Sequence, residues 1–249
     1  MFKCLLAISV ILLSLVACTS RETELYNQGV EFAESGHYQY AIASFDKAIE
    51  LKPDYHEAYY ERGNAYNING EYSKAIDDYN KTLEFYPQYA EAYKKRGHSY
   101  FVLGQLSEAI NDHTRAIDLN PDDAEAYHNR GAVYSHWEQY DKAIYDYTTA
   151  IGLNPNYAKA YNNRGVAYSL KGIFVYYEYS KAIDDYTKAI ELKPDYAKAY
   201  NNRGNAFYHL GQYQQALDDY NRTIELDPNH QKAINSRLKL LNYGKLSNP

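Results

Sequence analysis

One interval governs this chain. Prolines stand at 53, 87, 121, 155, 194 and 228, and glycines at 29, 63, 97, 131, 165 and 204. Both series advance by 34 residues, with a single step of 39 in each. A period that long and that regular is the mark of stacked supersecondary units, because one such unit cannot bury its own apolar face and needs neighbours. The odd step places a five-residue insertion between Gly165 and Pro194.

Each period reads as two helices, A and then B. Ala158 to Leu170 exemplifies A, with Tyr161, Gly165 and Tyr168 at helical spacing on one face. A glycine (36, 70, 104, 172 or 211) then meets the need for a left-handed backbone at a helix end. Ser73 to Phe85 exemplifies B, with Ala75, Ile76, Tyr79 and Leu83 turned inward. Pro87 ends it, since proline lacks a donor and keeps the preceding residue out of the helical region. Gly63 and Ala75 let the two helices approach, and Tyr59, Tyr66 and Tyr79 fill the space beside that contact. The set recurs as Gly131, Ala143, Tyr127, Tyr134 and Tyr147, and again as Gly204, Ala216, Tyr200, Phe207 and Tyr220. Tyrosine is abundant, with 31 copies against 7 Phe, and its apolar ring with a wet tip suits thin layers close to water.

These residues resemble the tetratricopeptide repeat family over 22–230, in six copies at 22–55, 56–89, 90–123, 124–157, 158–196 and 197–230. The resemblance implies an all-α, right-handed superhelical solenoid. Residues 231–249 then form a capping helix, from Gln231 to Tyr243, and a tail. Departures are few. Glu138 replaces the turn glycine of the fourth repeat, and Thr82 and Thr223 stand where alanine packs, although a helical threonine can bond its hydroxyl backward.

The N-terminus reads as an address and an anchor. Lys3 precedes an uncharged, largely apolar run from Cys4 to Val16, too short to span a bilayer but suited to a signal peptide. Leu15-Val16-Ala17-Cys18 resembles the bacterial lipobox, which implies cleavage after residue 17 and lipidation of Cys18. An ordinary secretory peptide that happens to contain Cys18 is the alternative. Residues 18–21 would be a short lipidated linker, and Thr19 allows outer-membrane sorting. Cys4 and Cys18 are the only cysteines, so no disulfide framework exists.

A second pattern lies inside the repeats. Arg62, Arg96, Arg130, Arg164 and Arg203 precede the packing glycine where Asp78, Asp112, Asp146, Asp185 and Asp219 occupy the B helix. The first repeat has Gln28 and Ser44 at the two places. Joint change within one chain favours an Arg–Asp contact inside each repeat over a binding role for the arginines.

The formal net charge of −6, with no basic cluster, argues against a nucleic-acid partner. No catalytic signature appears, the adjacent aspartates point to different helix faces, and the eight histidines lack ligand spacing, so neither an enzyme nor a metal or other cofactor is expected. In the family the A helices line a concave groove that binds peptides. The face left free of packing here reads Tyr60, Asn64, Asn67, Lys94, Lys95, His98, His128, Asn129 and Ser135, then Asn162, Asn163, Asn201, Asn202, Asn205 and Tyr208. Asn129, Asn163 and Asn202 recur in register, and an amide offers both donor and acceptor to a peptide backbone. A backbone clamp and a plain solvated face both fit. The insertion Ile173-Phe174-Val175-Tyr176-Tyr177 is apolar and fits either a partner or dimer contact or packing against its own neighbours. The expectation is a lipid-anchored scaffold in the bacterial envelope, on the outer membrane rather than the inner, binding other envelope or secreted proteins. A self-associating structural lipoprotein that uses the insertion is the alternative.

Overall fold

The structure, a computed structural model, describes residues 20–171 and 176–242. The leading apolar run, Cys18, Ile173, Phe174 and Val175 lie outside the described residues, and only the backbone of Tyr176 is described. Every regular element among them is an α-helix. The chain divides into two compact units, one ending at Gly104 and the other beginning at Gln105. The first holds α1 (Arg21–Glu34), α2 (Tyr38–Leu51), α3 (His56–Ile68), α4 (Tyr72–Phe85) and α5 (Ala90–Val102). The second holds α6 (Leu106–Leu119), α7 (Ala124–His136), α8 (Tyr140–Leu153), α9 (Ala158–Lys171), α10 (Tyr176–Leu192), α11 (Ala197–His209), α12 (Tyr213–Leu226) and α13 (Gln231–Asn242).

Consecutive helices pack in both units. In the first, α1 lies on α2 and α3 on α4, while α2 and α4 each also contact the next A helix. In the second, α7–α8, α9–α10 and α11–α12 form the pairs, and α12 packs on α13. Successive A helices touch as well: α1 with α3, α3 with α5, α7 with α9 and α9 with α11. The expected all-α fold of stacked helix pairs is what the chain adopts.

The packing glycine explains the close pairing of A with B. A Cβ placed on Gly131 would lie 2.9 Å from Cε1 of Tyr147, and one on Gly204 the same distance from Tyr220. The tyrosine ring therefore occupies the space a side chain would take. These rings are almost wholly buried, and burying one side chain of this size contributes on the order of 2–3 kcal/mol. Thr82 and Thr223 fit without strain because their hydroxyls donate to the Asp78 and Asp219 carbonyls, at 3.0 and 2.8 Å.

The turns follow the glycines. Gly36, Gly70, Gly104 and Gly211 have φ between +74° and +79°, and Glu138 takes the same left-handed region at φ 59°. In α10, helix begins at Tyr176, three residues before Tyr179, the register equivalent of Tyr72 and Tyr213 that open α4 and α12. Part of the insertion thus lengthens a B helix, and Tyr177 on that extension is exposed beside the Lys181 ammonium.

The arginine–aspartate pairing is borne out wherever both partners fall in one unit. Arg62, Arg130, Arg164 and Arg203 each donate from Nε and Nη2 to the two carboxylate oxygens of Asp78, Asp146, Asp185 and Asp219, at 2.6–2.8 Å. The remaining Nη1 reaches back to the preceding B helix, at Asp46, Thr114, Thr148 and Thr187. Each guanidinium therefore joins three helices. Arg96 makes the same backward bond, to Asn80 at 2.6 Å.

Candidate functional site

The A helices carry the polar residues singled out above, and their register decides which remain available. Residues 60, 94, 128, 162 and 201 share one repeat position, and the helix rolls that position inward. Tyr60, Lys94, Asn162 and Asn201 are buried rather than lying on a free face, which corrects their expected placement. Tyr60 packs against Tyr89, just before the next A helix, with ring centres 4.8 Å apart, and the Lys94 ammonium folds onto Glu91 of its own helix at 2.8 Å. The neighbouring position holds Glu61, Lys95, Asn129, Asn163 and Asn202, which are half-buried, while His98, on the next turn, is exposed.

In the first unit a cavity of about 440 Å³ opens between α1, α3 and α5. Glu34, Tyr60, Glu61, Asn64, Asn67 and Lys95 line it. Asn64 is committed: its carbonyl accepts the Tyr79 hydroxyl at 2.9 Å, and its amide donates to Glu61 at 3.1 Å. Asn67 donates to Ser99 at 2.7 Å. Burial and the charges of Glu91 and Glu61 push the Tyr60 phenol upward, so it stays a neutral donor.

In the second unit the amides form a relay. His128 contacts Asn129 Oδ1 through Nδ1 at 3.3 Å and Asn163 Nδ2 through Nε2 at 3.0 Å. Asn162 donates to Asn163 at 3.0 Å, and Asn202 donates to Asn162 at 3.0 Å. One neutral tautomer, with the proton on Nδ1, satisfies both contacts of the imidazole. Burial and the Lys159 charge lower the His128 pKa below its ordinary value, against the pull of Asn129 and Glu125, which favours that neutral form.

The relay borders a cavity of about 470 Å³ lined by Val166, Ser169, Leu170, Asn202, Asn205 and His209. His209 stacks on Tyr179 at 5.0 Å. The Asn205 carbonyl accepts the Tyr220 hydroxyl at 2.9 Å, which turns its N–H₂ group outward. Asn202 donates one N–H to Asn162 at 3.0 Å, so its carbonyl is not the group that this bond engages. Two cavity-lining amides therefore have opposite groups engaged: an N–H at Asn202 and the carbonyl at Asn205. The tyrosine hydroxyls that orient Asn64 and Asn205 were not foreseen. Their signal was present in the sequence, since Tyr79 and Tyr220 stand where the first repeat has Phe45.

Among the described residues, no group of three or more His, Cys, Asp or Glu could hold a metal ion. None of their helices is long and apolar enough to cross a membrane.

Profiles described as tetratricopeptide repeat match residues 26–90, 124–157 and 197–230, and one described as TPR repeat matches 97–135 and 178–211. The chain belongs to the tetratricopeptide repeat family. Among solved structures, a MamA protein is similar to this repeat protein at 30% identity, with a TM-score of 0.63, covering 72% of this chain and 94% of that one. YrrB, described as a TPR protein with an unusual peptide-binding site, shares 24% identity over 78% of this chain and 97% of its own, with a TM-score of 0.61. PilF of Pseudomonas aeruginosa shares 16% identity over 88% and 97%, with a TM-score of 0.73. The latter two likenesses show the fold alone. Among curated proteins no match is found. The tetratricopeptide fold is generally a non-catalytic scaffold for protein–protein interaction, and no enzyme family is indicated.

Proposed function

We propose that this tetratricopeptide protein is a lipid-anchored scaffold of the bacterial cell envelope that grips extended segments of other envelope proteins by their backbone. One observation carries the binding half of the reading. Asn202 and Asn205 line the same cavity, with an N–H of Asn202 held by Asn162 and the carbonyl of Asn205 held by Tyr220, so the acceptor of the first and the donors of the second are the groups these bonds do not engage. A peptide in extended conformation exposes N–H and C=O groups regardless of its side chains, so paired amides suit sequence-tolerant capture. The description of YrrB as having a peptide-binding site supports a similar role on this fold. The anchoring half rests on Lys3, the apolar run and Ala17-Cys18.

The two halves are tested separately. Extended peptides that bind the full chain should tolerate side-chain changes but lose affinity when their backbone amides are N-methylated, and the Asn202→Ala/Asn205→Ala variant should lose binding at unchanged helicity. Binding indifferent to N-methylation would end the clamp. In a bacterial host, Cys18→Ala should abolish incorporation of an alkyne-labelled fatty acid and release the protein from the membrane fraction. Retention of that variant in the membrane would end the anchor. Self-association through the insertion is the competing reading, and it requires that deleting residues 173–177 reduce the mass in solution.

A further inference from the structure

The last helix is the first half of a repeat whose second half is missing from the described residues. Set 34 residues after α11, α13 places Ala233 on Ala199, Ile234 on Tyr200, Arg237 on Arg203, Leu238 on Gly204 and Leu241 on Phe207. Its inner side docks as an A helix should, with Ala233 and Leu240 fully buried against Ala216 and Tyr220. Arg237 makes the same backward bond as the other arginines, from Nη1 to Asn221 at 3.4 Å. The forward bond is missing. In Arg62, Arg130, Arg164 and Arg203, Nε donates to an aspartate on the following B helix, whereas the buried Nε of Arg237 has no acceptor among the described residues. Leu238 and Leu241 are 46% and 53% exposed on the side where that B helix would lie.

We infer that this face of α13 is a docking site for an acidic amphipathic helix of another protein, which completes the seventh repeat in trans. Its chemistry is specified at three points. A carboxylate must meet Arg237, whose buried unpartnered donor is costly to leave unsatisfied. The helix bears Lys232, Arg237 and Lys239 and no acidic residue, so a net negative partner is complementary. The residue opposite Leu238 must be small. This third point argues against a second copy of this chain docking by its α2, α4, α8, α10 or α12. Phe45, Tyr79, Tyr147, Tyr186 and Tyr220 each set a ring within 3 Å of the Cβ that their glycine lacks, and a leucine there collides with such a ring.

The site differs from the amide-lined cavity, so it stands or falls independently of the clamp. The probe is a stapled 14-residue helix with the sequence of α12 carrying Tyr220→Ala, which puts an aspartate opposite Arg237 and an alanine opposite Leu238. It should bind the full chain, and should bind more tightly than the same helix with Tyr220 retained. Asp219→Asn in the probe and Arg237→Gln in the protein should each weaken binding on the order of tenfold, and together little more than either alone. Leu238→Asp should abolish binding at unchanged melting temperature, while Asn202→Ala/Asn205→Ala leaves it intact. The inference is overturned by absent binding, by indifference to Arg237→Gln or Leu238→Asp, or by equal binding of the tyrosine-bearing helix. Two further results overturn it: a dimer of the free protein that Leu238→Asp dissolves, which makes the occupant a second copy, and capture of the face by phosphatidylglycerol vesicles in preference to the probe.

Discussion

The repeated arginine is an expensive way to hold three helices together, and its cost shows in the electrostatics. Burial pushes the Asp78, Asp185 and Asp219 carboxyls upward, and the bidentate arginine works against that push. Arg203 and Asp219 keep side-chain exposures of only 18% and 7%, so solvent screens the pair weakly. Such pairs fix geometry more than they add stability, and removing one partner strands a buried charge. Arg203→Met should therefore cost about 3–5 kcal/mol in denaturant unfolding, whereas Arg203→Met with Asp219→Leu should recover most of the loss. Additive losses would mean that the two groups do not act on each other. His128 provides a pH-dependent counterpart. Its folded pKa lies below the ordinary 6.5, so above that pH both folded and unfolded states are neutral and nothing is gained or lost. As pH falls below 6.5 the unfolded chain takes the proton first, and stability drops until the folded pKa is reached. His128→Asn, the residue at this position in the next two repeats, should flatten the decline in melting temperature between neutral and mildly acid pH.

At the scale of the element, helix pairing and turn placement were legible because they depend on residues with one physical reading. A proline ends a helix, a glycine admits a left-handed turn or a ring against the backbone, and the 34-residue spacing says which is which. Glu138 is the informative exception. It adopts φ 59° because the bonds that close the turn, Glu138 N to Ser135 O and Gln139 N to Tyr134 O, demand it. Glu138→Gly should accordingly stabilise the second unit by about 1 kcal/mol, read as a higher denaturant midpoint at unchanged slope, because a left-handed L-residue is strained by that order. A lower midpoint would show that the side chain earns its place elsewhere. The binding face was less legible, since a list of polar positions on an A helix does not reveal the roll of that helix against the next one. Lys94, Asn162 and Asn201 share a register with Tyr60, and the tyrosine was the hint that this position turns inward. The division of labour between Asn202 and Asn205 was beyond reach, because it follows from which neighbour uses up each amide's other half.

For the molecule as a whole, the tyrosines decide how the fold ends at high pH. Tyr60 and Tyr79 in the first unit, and Tyr147, Tyr186 and Tyr220 in the second, sit in the contacts between helices, and desolvation is the largest cause raising the pKa of each. For Tyr220 it reaches about 12. The ordinary value of 10.0 holds for the unfolded chain, which therefore releases these protons first as pH rises. Folding holds protons that unfolding lets go, so the contribution of these tyrosines to stability is constant below pH 10 and falls steadily above it. Stacked repeats share their buried rings with their neighbours, so a phenolate formed in one layer weakens the layers on either side. Absorbance at 295 nm should rise in two waves on alkaline titration, the first with helicity intact and the second coincident with loss of the 222 nm signal. Replacing Tyr147 and Tyr186 by phenylalanine removes two of the ionisations that drive the second wave without removing the rings, and should move it to higher pH. A single wave that ends before any helix is lost would mean that the rings reach solvent in the folded state, and that burial does not govern them.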